Sequence, residues 1–168
     1  EKYRRPEDYL AVSQEELQRD IFATGFFRQK ARSLRGTMRI LIEEHSGILL
    51  KVEGDSQLVI FRDVDEAIAC SIAMQRCARD YNRKRPKAEE VLLCIGLGYG
   101  DMLRIGDSDV FGAEVNAASK LGEDHARPYE IVVTGAVKQA AQGGKGIKFN
   151  RIKAVPPGAE AAYKLKYE

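Results

Sequence analysis

One carboxylate, Asp55, stands between two apolar runs in Leu49-Leu50-Lys51-Val52-Glu53-Gly54-Asp55-Ser56-Gln57-Leu58-Val59-Ile60-Phe61. The β-branched and aliphatic residues on either side suit paired strands, and Gly54 supplies the backbone freedom of a tight turn. Asp55 is therefore expected at a hairpin tip, where a carboxylate can reach a divalent ion. A Gly-Asp pair also serves turns that bind nothing, so this segment does not decide by itself. A second segment adds to it. Ile95-Gly96-Leu97-Gly98-Tyr99-Gly100 is followed by Asp109-Val110-Phe111-Gly112-Ala113-Glu114-Val115-Asn116-Ala117-Ala118-Ser119-Lys120-Leu121, a Gly-punctuated strand leading to a helix that carries polar side chains.

Other chemistries find little support. His45 and His125 are the only histidines, and neither has a second His or a Cys at zinc-ligand spacing. They read as surface or cap residues. Cys70, Cys77 and Cys94 sit in apolar contexts without metal spacing and read as reduced core thiols of a cytoplasmic protein. No Ser-His-Asp or Cys-His constellation can be assembled. Twenty-seven basic against twenty-five acidic residues give a net charge of +2, which offers no strong attraction to nucleic acid or an anionic membrane. The Arg83-Lys84-Arg85 cluster is short and reads as solvated loop. No apolar run approaches the roughly eighteen residues of a membrane span.

The elements that must position these residues follow from periodicity. At 168 residues and 44% apolar content the chain is read as one domain, 1–168. Ser13-Gln14-Glu15-Glu16 has the form of a capping box, with Leu17, Ile21, Phe22 and Phe26 on one face of the helix it starts. A second helical stretch after Gly36 carries Met38, Leu41 and Ile42. Strands are expected at Ile48 to Val52 and Leu58 to Phe61, then a helix from Asp65 to Tyr81 and a surface loop from Arg83 to Glu90. Val91 to Tyr99 reads as a strong strand, Met102 to Val110 as a hairpin, and Val115 to Leu121 as a helix. Ile131 to Thr134, a short helix from Ala136 to Ala141, a Gly-rich turn, and strands at Lys148 to Ala154 and Ala161 to Tyr167 complete the chain. Hairpins mixed with crossovers imply an α+β sandwich of mostly antiparallel sheet, with helices over one face.

Taken together, the Lys-x-x-Gly-Asp hairpin, the following helix around Ala67 to Cys77 with its Ala-Met-Gln segment, the Ile-Gly-x-x-x-Gly strand and the Phe-Gly-x-x-Val-Asn-x-Ala-Ser helix start resemble the catalytic domain of class III nucleotidyl cyclases, the adenylyl and guanylyl cyclases. The resemblance runs from roughly Gly47 to Tyr167. It implies a ferredoxin-like sandwich that cyclises a nucleoside triphosphate, with Mg²⁺ or Mn²⁺ held by two Asp residues. Asp55 matches the second of these. The first should lie on an opening strand reading about Asp-x-x-Gly-Phe-Thr. Asp8-Tyr9-Leu10-Ala11-Val12 begins like that strand but passes at once into Ser13 and its polar helix start, and Asp20 lies too far before Gly25. Either the first Asp is lost, or it belongs to a loop between Val12 and Ser13 that this sequence omits.

The same resemblance assigns Lys51 and Asp109 to reading the base. A Lys there donates to the adenine ring nitrogen, and Asp109 accepts from the adenine amino group, so the pair points to ATP. Asn116 matches the ribose-orienting Asn, although an Asn near a helix start also satisfies backbone groups. Lys120 stands where the family places an Arg that steadies the reacting phosphate, and Pro157 where it places a triphosphate-gripping Lys. Both changes weaken the expected grip, Pro157 donating nothing, with Lys153 the nearest possible substitute. The resemblance further implies a homodimer in which Asp55 of one subunit faces Lys51, Asp109, Asn116 and Lys120 of the other, Val110 and Phe111 being the apolar residues expected at the contact. The alternative is a degenerate cyclase-like domain that senses nucleotide or binds a partner without turnover.

Overall fold

A computed structural model describes residues 36–106, 109–143 and 146–167. Chain contacts separate two compact units, Glu1–Gly36 and Thr37–Glu168. The helix expected from Ser13, with Leu17, Ile21, Phe22 and Phe26, lies outside the described residues, as do Asp8 and Asp20.

Residues 36–44 are helical (α1), and Met38 and Ile42 are buried from it, as their spacing on one helix face predicts. Next come β1 (Ile48–Glu53) and β2 (Ser56–Ile60), an antiparallel hairpin that pairs Glu53 with Ser56 across the Gly54-Asp55 turn. Gly54 has φ of 58°, the left-handed conformation that glycine adopts without strain. The long helix α2 (Val64–Asn82) starts on Asp63, whose side chain accepts from the Glu66 N–H at 2.9 Å. A 3₁₀ turn at Lys87–Glu89 interrupts the loop that follows.

The central sheet has the order β3-β6-β8-β7, built from β3 (Ile95–Leu97), β6 (Ile131–Thr134), β7 (Lys148–Ile152) and β8 (Ala162–Lys166). Its β3–β6 pair is parallel, and β6–β8 and β7–β8 are antiparallel. A separate hairpin joins β4 (Leu103–Ile105) to β5 (Asp109–Phe111), and leads into α3 (Ala113–Lys120), a π-helical turn (Leu121–His125) and, after β6, the short α4 (Gly135–Ala140). This is the expected α+β sandwich of mostly antiparallel strands.

Every residue of β6 is buried, because both of its faces are covered. Ile131 and Val133 pack with Ile68 of α2, Val137 of α4 and Leu165, while Val132 between them packs with Leu121 and Ala162. Helices therefore lie over both faces, where the sequence suggested one. On the second face α3 crosses β3 so closely that a Cβ on Gly96 would sit 2.0 Å from the Ala118 carbonyl oxygen. Only glycine fits at that crossing.

One further difference has its cause in side-chain contacts from α2. The strand expected from Val91 to Tyr99 shrinks to Ile95–Leu97. Ahead of it the backbone is held by side chains: Asn82 Nδ2 donates to the Val91 carbonyl at 2.8 Å, Val91 N–H donates to Asn82 Oδ1 at 2.9 Å, and Gln75 Nε2 donates to the Leu93 carbonyl at 3.1 Å. The polar residues Ser71, Gln75 and Asn82 are buried within α2. Cys70 is buried too, and its burial, with the nearby Glu66 carboxylate, raises its thiol pKa to about 11.

Candidate functional site

Two hairpins supply the charged residues at the centre of the candidate site. Pairing of β1 with β2 slips between Leu49 and Lys51, where a β-bulge leaves Leu50 as an extra residue and re-aims the strand just before Lys51. Lys51 Nζ then lies 3.8 Å from Asp109 Oδ2 at the start of β5, and 2.8 Å from Glu53 Oε1. Asp109 is also fixed through its other oxygen, which accepts from the Val110 N–H at 3.1 Å. The Lys51 pKa is raised, first by its hydrogen bond to Glu53 and then by attraction to Asp109. It remains an ammonium at neutral pH. The structure thus brings together the two residues expected to read a base, far apart in sequence though they are.

Gly112, the residue after β5, caps α3 at its N-terminus, so Asn116 is inside the helix and exposed. That removes the capping explanation for Asn116. Lys120 lies one turn further along the same face, as residues four apart do. Its Nζ pairs with Asp124 Oδ2 at 3.1 Å, a partner not anticipated although the i,i+4 spacing was there to be read. The helix is anchored by Glu114, also not anticipated: its Oε2 accepts from Thr134 Oγ1 at 2.6 Å and from the Tyr99 N–H at 3.0 Å, tying α3 to the ends of β6 and β3.

Pro157 is exposed, and next to it Gly158 takes φ of 95°. A Cβ on Gly158 would meet the Ala113 carbonyl oxygen at 2.4 Å, so this loop packs on the first residue of α3. The loop therefore stands beside the helix that carries Asn116 and Lys120. Lys153, offered as a substitute donor, is exposed at the end of β7.

Asp55 is exposed at the tip of the β1–β2 hairpin, where the sequence placed it. Among the described residues no three His, Cys, Asp or Glu side chains gather as a metal site. A pair of divalent ions needs several oxygen ligands, and the described residues of one copy do not fit such a centre. His45, read as a surface or cap residue, pairs through Nδ1 with Glu66 Oε2 at 2.6 Å, away from any second His.

Comparison with known proteins agrees with this architecture. No family model matches the chain. A protein of Rhizobium meliloti (strain 1021) named "Putative adenylate cyclase 3" is 28% identical over 138 residues, which is 76% of this chain and 23% of that protein. Endonuclease III of Bacillus subtilis (strain 168) is 49% identical over 47 residues, 28% of this chain and 22% of that protein. The chain thus spans under a quarter of the length of either curated relative. The crystal structure of an adenylate/guanylate cyclase/hydrolase from Silicibacter pomeroyi superimposes with a TM-score of 0.71 at 23% identity, covering 94% of this chain and 92% of that one. The fold is that of class III adenylyl and guanylyl cyclase catalytic domains.

Proposed function

We propose that this chain is an adenylyl-type cyclase domain that binds ATP between two copies of itself and converts it to cyclic AMP slowly. The observation that carries this reading is the approach of Lys51 to Asp109, 3.8 Å apart on different hairpins. An ammonium donor beside a carboxylate acceptor complements the adenine edge, whose ring nitrogen accepts and whose amino group donates. Asn116 orients the ribose and Lys120 contacts the triphosphate, both from the exposed side of α3. Asp55 is the proposed ligand of Mg²⁺ or Mn²⁺. Among the described residues Asp55 is not part of a group of three or more His, Cys, Asp or Glu side chains.

Two residues support slow turnover. Lys120 lacks the planar fork of an Arg, and Pro157 has no proton to donate. Loss of one preorganised donor to a developing charge commonly costs roughly a hundredfold or more in rate. A non-catalytic nucleotide sensor is the second reading, favoured by the same two residues. No helix among the described residues is long and apolar enough to cross a membrane, and a cytoplasmic location is proposed with the fold.

The test combines binding with turnover. Isothermal titration of ATP and GTP is expected to show ATP binding that Lys51→Glu weakens relative to GTP by about tenfold to a hundredfold, the effect of losing one base-specific hydrogen-bond match. Equal ratios before and after the exchange would refute the assignment of Lys51. Cyclic AMP formed with Mn²⁺ at the ordinary enzyme rate of about ten per second would refute slow turnover.

A further inference from the structure

Lys51 and Glu53 are two residues apart on β1, so their side chains leave the same face of the strand. At 2.8 Å the Glu53 carboxylate accepts a charge-assisted hydrogen bond from Lys51, whereas Asp109, at 3.8 Å, is beyond hydrogen-bond length. The ammonium is therefore already committed, and to a residue on its own strand. Side-chain exposure is 69% at Glu53 and 37% at both Lys51 and Asp109, which leaves the Glu53 carboxylate open to a ligand that reaches the other two. The result is a cation flanked by two carboxylates.

Adenine needs one donor and one acceptor from such a group. Guanine presents a carbonyl that accepts and a ring N–H and amino group that donate, so it needs one donor and a carboxylate able to accept twice. The trio offers both arrangements. We infer that Glu53 is a specificity-determining residue that admits guanine to this site, its carboxylate accepting from the guanine ring N–H and amino group while it draws Lys51 away from the ring nitrogen of adenine. The inference rests on the reading of Lys51 and Asp109 as the base-reading pair, and predicts weak discrimination between the two purine nucleotides.

The exchange Glu53→Gln tests it in the whole chain, because Gln keeps the size of the side chain and puts an amide donor where guanine requires an acceptor. Titration calorimetry with ATP and with GTP, each with Mg²⁺, is expected to give wild-type dissociation constants within about tenfold of one another, and a GTP affinity lowered about tenfold or more in the variant while ATP binds as well or better. Unchanged thermal unfolding checks that this exposed position has not disturbed the fold. An ATP-to-GTP ratio that is the same in both proteins overturns the role of Glu53 and leaves the base-reading pair standing. So does a wild-type protein that already rejects GTP more than about a hundredfold. If the wild-type chain binds neither nucleotide, the assignment of Lys51 and Asp109 fails and the role of Glu53 falls with it.

Discussion

Lys120 is the residue on which the rate should turn. Its ammonium rests against Asp124 at 3.1 Å, and the two side chains are 54% and 52% exposed. An ion pair so open to water contributes little, so Lys120 can leave it for a phosphate at small cost. What it cannot do is present two parallel donors, as a guanidinium does. Lys120→Arg is therefore expected to raise the maximal rate of cyclic AMP formation by about tenfold, within the range that one preorganised donor supplies. Initial rates over a range of ATP concentrations check this, since the gain belongs in kcat more than in KM. A rate equal to that of the parent protein would show that Lys120 does not meet the reacting phosphate.

Among the elements, α2 does more than cover the sheet. Its last residue, Asn82, is 6% exposed and reaches across to Val91 with a donor and an acceptor, while donating also to the Tyr129 hydroxyl at 2.7 Å. Gln75, one helical stretch earlier, donates to the carbonyls of Leu93 and Glu130, both at 3.1 Å. These side chains take the place of a neighbouring strand ahead of β3, which is why the apolar run from Val91 does not form a longer one. Asn82→Leu is expected to destabilise the fold by about 1–3 kcal/mol, because the half-buried backbone groups of Val91 lose their partners. Urea unfolding would show this as a lower midpoint with an unchanged slope. A midpoint equal to that of the parent protein would mean that Val91 has found other partners.

At the scale of the whole molecule, the β4–β5 hairpin carries the largest cluster of exposed apolar side chains among the described residues. Leu103 is 64% exposed, Ile105 55% and Phe111 52%, with Tyr99 and Met102 nearby also largely uncovered. Val110, expected at the contact with Phe111, is instead 4% exposed, because adjacent residues of a strand point to opposite faces and Val110 takes the inner one. A cluster of exposed apolar residues of this kind marks an interaction site, and a two-fold pairing of like chains is the proposed use. Leu103→Arg should hold the chain monomeric at concentrations where the parent sediments as a dimer, and should leave the thermal midpoint unchanged only at dilutions where both are monomers. A parent chain that stays monomeric with nucleotide and metal saturating would remove the shared site and favour the sensor reading.

Much of this was written locally. The hairpin around Gly54-Asp55, the helix from Val64, the buried strand Ile131–Thr134 and the final strand pair all follow from apolar periodicity and turn residues, signals that operate over a few neighbours. Candidate residues were legible one at a time for the same reason: Lys51, Asp109, Asn116, Lys120 and Asp55 each belong to a short motif. Their company was not. That Glu53 competes for Lys51, that Glu114 ties α3 to Thr134, and that α3 takes the second face of the sheet depend on contacts between segments distant in the chain or on which way a strand faces. A bulge at Leu50 is enough to change where Lys51 points, and no local pattern of side chains announces it. Side-chain type and spacing are properties of the chain; the direction in which a side chain emerges, and what it meets there, exist only once the elements have packed.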